Sequence, residues 1–80
     1  MQTTTITVMD IKTACVRGTI FRNRNHSDTY VTVSSNESLG KTVTIREYAL
    51  GTHRLVNAPW DCTLKDAAHT LSVWGWYAAS

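Results

Sequence analysis

Eighty residues make one domain, spanning 1–80, and a chain this short buries only roughly 60–65% of the surface its unfolded form exposes. A hydrophobic fraction of 42% with 18% charged residues fits a folded globular chain rather than a disordered one, and no apolar run approaches the roughly 20 residues of a membrane span. The formal net charge is +2, and the excess is uneven: Ile11 to Ser27 carries Lys12, Arg17, Arg22 and Arg24 with no acid.

The first element read from the pattern is a strand. "TTTITVMD" alternates, with Ile6 and Val8 on one face and Thr5 and Thr7 on the other, the period of a half-buried strand. "MDIK" reads as a turn and "TACVRGTIFR" as a second strand. Ala14, Val16, Gly18 and Ile20 then share one face; Cys15, Arg17, Thr19 and Phe21 share the other, the pair forming an antiparallel hairpin. The connection "FRNRNHSDTY" is unusually rich in arginine, asparagine and histidine. A third strand, "DTYVTVSS", sets Val31 and Val33 against Tyr30, Thr32 and Ser34. "NESLGK" is a turn cluster, with Gly40 suited to a positive φ angle. In the fourth strand, "KTVTIREYAL", Val43, Ile45 and Ala49 point inward and Thr44, Arg46 and Tyr48 outward. "THRLVN" is a short fifth strand closed by Pro59, because proline cannot donate to a central ladder.

The last segment changes period. "TLKDAAHTLSVWGWYAA" lines up Leu64, Ala67, Ala68, Leu71, Trp74 and Ala78 along one helical stripe, and Thr63 with Asp66 resembles a capping box. The expected helix runs from about Thr63 to Trp76. The fold class is therefore α+β: an antiparallel sheet of about five strands, ordered β-β-β-β-β-α, with one C-terminal helix packed on one face. Trp74 is assigned to the core and Trp60 to the helix start; Trp76 falls off the stripe, and the pattern leaves its exposure open.

Catalytic signatures are lacking. The glycines at 18, 40, 51 and 75 form no phosphate loop, and Cys15, Cys62, His26, His53 and His69 have no ligand-pair spacing. The chain is read as non-enzymatic, with no cofactor and no metal, and the two cysteines as reduced, small and half-buried. "MQTTTITV" has no basic region followed by an apolar run, so no signal peptide is read. "NHS" and "NES" are then chance matches to the glycosylation pattern, and the expected location is the cytoplasm.

With a helix over one side of the sheet, the bare side is expected to present Arg17, Phe21, Tyr30, Thr32, Thr44, Arg46, Tyr48 and Arg54, with Arg22 and Arg24 at its rim. Arginine and tyrosine are enriched at protein interfaces because each joins a flat apolar body to polar tips. The same pairing suits nucleic acid, where arginine holds phosphate and rings stack on bases. The bland alternative is a solvated sheet face, with Arg46 paired across strands. The candidate partner-binding residues are Arg17, Arg22, Arg24, Tyr30, Arg46, Tyr48 and Arg54.

A small sheet opening with "TTTITV" and ending in "TLKDAAHTLSVWGWY" resembles small phage-encoded anti-CRISPR proteins in architecture. The resemblance implies a non-enzymatic inhibitor in the host bacterial cytoplasm that binds a Cas effector complex, of the type I surveillance kind, and blocks target DNA binding or nuclease recruitment. It carries over no functional residue. The mild basicity argues against DNA mimicry and for docking on an acidic region of a Cas subunit. Two alternatives stand beside it. One is a single-stranded nucleic-acid binder using the basic and aromatic face. The other is a phage structural protein in which Thr3–Met9 or His53–Asn57, at a sheet edge, pairs between subunits.

Overall fold

The structure is a computed structural model that describes residues 5–36 and 42–79. The expected turn at "NESLGK", with Gly40, lies for the most part outside the described residues. The elements run α1 (Val8–Arg17), β1 (Ile20–Asn23), a single 3-10 turn (Arg24–His26), β2 (Thr29–Asn36), β3 (Thr42–Ala49), β4 (Trp60–Thr63), α2 (Leu64–Val73) and β5 (Trp76–Ala78). The five strands form one antiparallel sheet in the order β4-β3-β2-β1-β5. The α+β class, the five-stranded antiparallel sheet and the helix following Thr63 are as expected. The order of elements is not.

The segment expected to open a β-hairpin is instead α1. Its start is a complete capping box: Asp10 N–H donates to Thr7 Oγ1 at 3.2 Å, and Thr7 N–H donates to Asp10 Oδ2 at 2.9 Å. Its end is Gly18 at φ 70°, whose N–H donates to Ala14 O, with Arg17 placed favourably in the last turn. Period-2 alternation in Thr5–Val8 is too short to outweigh these signals, and Ile11 and Ala14 turn inward one helical turn apart. Arg17 is therefore an exposed helix residue and is not on the sheet.

Phe21 faces the core rather than the open face for the same reason. Strand β1 begins only at Ile20, and its register sets Phe21 opposite Val31 and Arg22 opposite Tyr30. Phe21 is fully buried, whereas Ile20 and Arg22 share the other side. "THRLVN" makes only an isolated bridge between Tyr48 and Leu55. The edge strand comes after Pro59, at Trp60–Thr63.

Helix α2 connects β4 at one edge of the sheet to β5 at the other. Both helices lie on the same side: Ile11, Ala14, Ala67, Ala68 and Leu71 share one core with Phe21, Val31, Val33, Val43, Ile45, Cys62 and Trp76. Each large buried side chain contributes roughly 1.5–3 kcal/mol. Ser72 ties the segment before α1 to α2. Its Oγ accepts from Ile6 N–H at 2.8 Å, and its single proton goes to Ala68 O at 2.7 Å or Ile6 O at 3.1 Å.

Trp74 departs from its expected place in the core, and Trp76 takes a core position instead. The helix ends at Val73, and Gly75 at φ 83° turns the chain into β5. That turn swings Trp76 inward, to 7% exposure, and leaves Trp74 65% exposed. Asn23, itself buried, holds the turn by donating from Nδ2 to Trp74 O at 2.7 Å while its Oδ1 accepts from Asn25 N–H at 2.9 Å. Cys15 and Cys62 form no disulfide.

Candidate interaction surface

The side of the sheet away from the helices is organised as cross-strand rows. The pairings Arg22↔Tyr77, Arg22↔Tyr30, Tyr30↔Tyr48 and Tyr48↔Leu55 place Tyr77, Arg22, Tyr30, Tyr48 and Leu55 in one row across four strands and the turn that follows β3. Residues directly opposite on antiparallel strands project to the same face. The next row is Ile20, Thr32 and Arg46, and the one after it Ser34, Thr44 and Asp61. Rings and guanidinium groups thus gather at one end of the face and hydroxyls at the other.

Local contacts hold the row in place. Tyr30 and Tyr48 stack with ring centroids 5.4 Å apart and planes 24° from parallel. The Tyr30 hydroxyl and His53 Nδ1 share a hydrogen bond of 2.9 Å, the hydroxyl donating when the imidazole proton is on Nε2. His53 reaches that position from a left-handed backbone, φ 57°. Arg46 Nη1 donates to Ser34 Oγ of β2 at 2.8 Å, a pairing across strands.

The arginine-rich connection divides between the two sides of the sheet. Arg22 projects from β1 onto the open face and its Nη2 donates to Ser27 O at 3.0 Å, closing the loop upon itself. Arg22 Nε is buried and has no hydrogen-bond partner among the described residues. The Arg24 guanidinium lies 5.9 Å from the centre of the Tyr77 ring, a cation–π contact at the rim. His26 turns the other way and stacks on Trp76, with ring centroids 6.4 Å apart.

The face therefore collects Arg22, Arg24, Tyr30, Arg46 and Tyr48 from the sequence candidates. It excludes Arg17, on α1, and sets Arg54 one position off the row, since Leu55 stands opposite Tyr48. Sequence reasoning missed Tyr77 and His53. The signal for Tyr77 was Gly75 followed by the alternating triplet Trp76–Tyr77–Ala78; nothing local marked His53.

No family model matches the chain, and no curated protein or solved structure matches it. What the surface can do therefore rests on its chemistry. Among the described residues no group of histidine, cysteine and carboxylate side chains is arranged to hold a metal ion, and no helix is long and apolar enough to cross a membrane. Burial pushes the Cys15 thiol up. Burial, followed by the Asp66 and Asp61 charges, pushes Cys62 up to about 11. Both shifts suppress the thiolate that nucleophilic chemistry needs.

Proposed function

We propose that the chain is a non-enzymatic binding protein that docks its helix-free sheet face on a protein partner and inhibits it. The row Tyr77–Arg22–Tyr30–Tyr48, with Arg46 beside it, carries the reading. Tyrosine and arginine anchor protein interfaces, and side chains already held by stacking and hydrogen bonds lose less rotamer freedom on binding. Arg22, Arg24 and Arg46 favour a partner surface with acidic character. In the specific form implied by the resemblance to anti-CRISPR proteins, that partner is a subunit of a type I Cas effector complex, and docking blocks target DNA binding or nuclease recruitment in the bacterial cytoplasm.

The test uses a purified type I surveillance complex with its target duplex. The wild-type chain should abolish either the DNA mobility shift or the later recruitment of nuclease. The Arg46→Glu, Tyr48→Ala variant should need roughly tenfold or more protein for the same effect. A wild-type chain without effect on either step overturns the Cas assignment. Inhibition undiminished in the variant overturns the assignment of the face.

A second reading is single-stranded nucleic-acid binding, favoured by the alignment of three tyrosines with arginine in one row, since rings on a sheet stack bases and guanidiniums hold phosphates. It stands second because the pI of about 8.7 falls below the basic range usual for such domains. Binding to a labelled oligonucleotide that falls steeply with added salt would favour it over protein docking; absence of binding at low salt removes it.

A further inference from the structure

The opposite side of the sheet carries a second feature of different chemistry. Past the core, the inner face around Thr29 and Glu47 opens into a cleft of about 590 Å³. None of its described lining residues belongs to α1 or α2. One wall is the 24–29 connection, with His26 and Asp28; another is the segment after β3, with Asn57; Trp74 and Trp76 close the third side.

We propose that this cleft binds an organic cation, an alkylammonium or guanidinium group of the kind a lysine or arginine side chain presents. Two carboxylates, Asp28 and Glu47, line it, and no lysine or arginine is among its described lining residues. Neither carboxylate has an ion-pair partner among the described residues, although bases outnumber acids in the chain by eight to six. Glu47 Oε1 accepts from Asn57 Nδ2 at 3.2 Å, which orients that carboxylate and leaves Oε2 available.

The aromatic component is the second, independent observation. Trp74 shares the cleft and exposes 65% of its surface, an unusual fraction for the largest apolar side chain. The exposure is built in rather than incidental. The Asn23 bond to Trp74 O and the positive φ of Gly75 fix the turn, and the stack of His26 on Trp76 seats the neighbouring ring. A cation placed between the carboxylates and the free indole face would gain charge pairing and cation–π attraction together. The volume falls within the range of clefts that hold small groups. The cleft opens on the side of the sheet opposite the tyrosine row, so the inference does not depend on the docking role proposed for that row.

The test titrates the full chain with the capped tripeptide acetyl-Gly-Lys-Gly-amide, its arginine counterpart, and the N-acetyl-lysine version as neutral control, reading the indole N–H shifts of Trp74 and Trp76 by NMR. The charged peptides should saturate with dissociation constants on the order of millimolar. The neutral control should not saturate. D28N combined with E47Q should weaken binding by roughly tenfold or more. So should W74A, whose exposed side chain can be removed without disturbing the core. Added n-butylammonium distinguishes the sources: weaker binding than the lysine peptide assigns the site to a polypeptide side chain, equal binding to a free amine. No saturable shift with either charged peptide, equal response to the neutral control, or unchanged affinity in the folded D28N/E47Q protein overturns the proposal.

Discussion

Tyr30 and Tyr48 stand directly opposite each other on β2 and β3, with their rings stacked 5.4 Å apart on the face that no helix covers. An aromatic cross-strand pair of this kind contributes about 0.5–1.5 kcal/mol beyond its buried area. Tyr48→Ala should therefore lower the unfolding free energy by about that much or slightly more, read from urea midpoints. It should also shift the Tyr30 ring protons by removing the neighbouring ring current. Tyr30→Phe keeps the stack and loses only the bond to His53, so its cost should fall near the lower end, about 0.5–1 kcal/mol. A larger loss from Tyr30→Phe than from Tyr48→Ala would contradict this ranking.

Asn23 decides where the tryptophans go. It is 3% exposed and uses both ends of its amide, Nδ2 toward Trp74 O and Oδ1 toward Asn25 N–H. Asn23→Ala leaves the Trp74 carbonyl and the Asn25 N–H without this partner, and should cost about 1–3 kcal/mol. Asn23→Asp retains the acceptor but points a carboxylate at a carbonyl oxygen, so at neutral pH it should destabilise more than alanine does. Chemical denaturation ranks the two. In both variants the Trp76 indole signals should move toward solvent-exposed positions.

The two helices begin with the same spacing, Thr7 to Asp10 and Thr63 to Asp66. Only the first makes the reciprocal pair; at the second, Asp66 N–H donates to Thr63 Oγ1 at 3.1 Å, and no return bond from the Thr63 N–H is found among the described residues. Asp10→Ala, which removes the return bond together with the acid near the helix start, should cost about 1 kcal/mol, and Asp66→Ala, which removes only the acid, less. Equal losses in urea unfolding would show that the return bond contributes nothing.

Cys62 links stability to alkaline pH. Its thiol is raised from 9.0 to about 11 by burial and by the Asp66 and Asp61 charges, so between those values the folded chain holds a proton that the unfolded chain has lost. The contribution is complete below pH 9.0 and is lost as pH rises toward about 11. Wild type should therefore lose stability faster across this window than Cys62→Ala does, after each is referenced to its own value at pH 8. At pH 8 itself, Cys62 should also react with iodoacetamide more slowly than a free thiol.

Strands β2 and β3 and the cap of α2 were legible in the residues. Val31 and Val33, and Val43 and Ile45, alternate with polar partners over eight-residue runs, so a shift of one position would expose the whole apolar set. That phasing placed Tyr30, Thr32, Arg46 and Tyr48 on the open face correctly. The stretch 5–23 was not legible in the same way. It alternates only briefly, in a pattern that predicts two strands, whereas the Thr7–Asp10 box and Gly18 bound a helix. The mistaken strand put Phe21 outside and Arg17 on the face.

Local chemistry alone therefore determined β2 and β3, two of the sheet's three interior strands, the side each of their residues occupies, and the start of the second helix, because side-chain period and capping act over a few residues. Tertiary structure decided the rest. Ile11 and Ala14 become core positions only when α2 lies beside them, and Trp74 faces solvent while Trp76 faces the core because Asn23, fifty-one residues before Trp74, fixes the turn between them. Tyr77 joins the tyrosine row only through the pairing of β5 with β1, where it stands opposite Arg22, a contact between distant segments that no local pattern encodes.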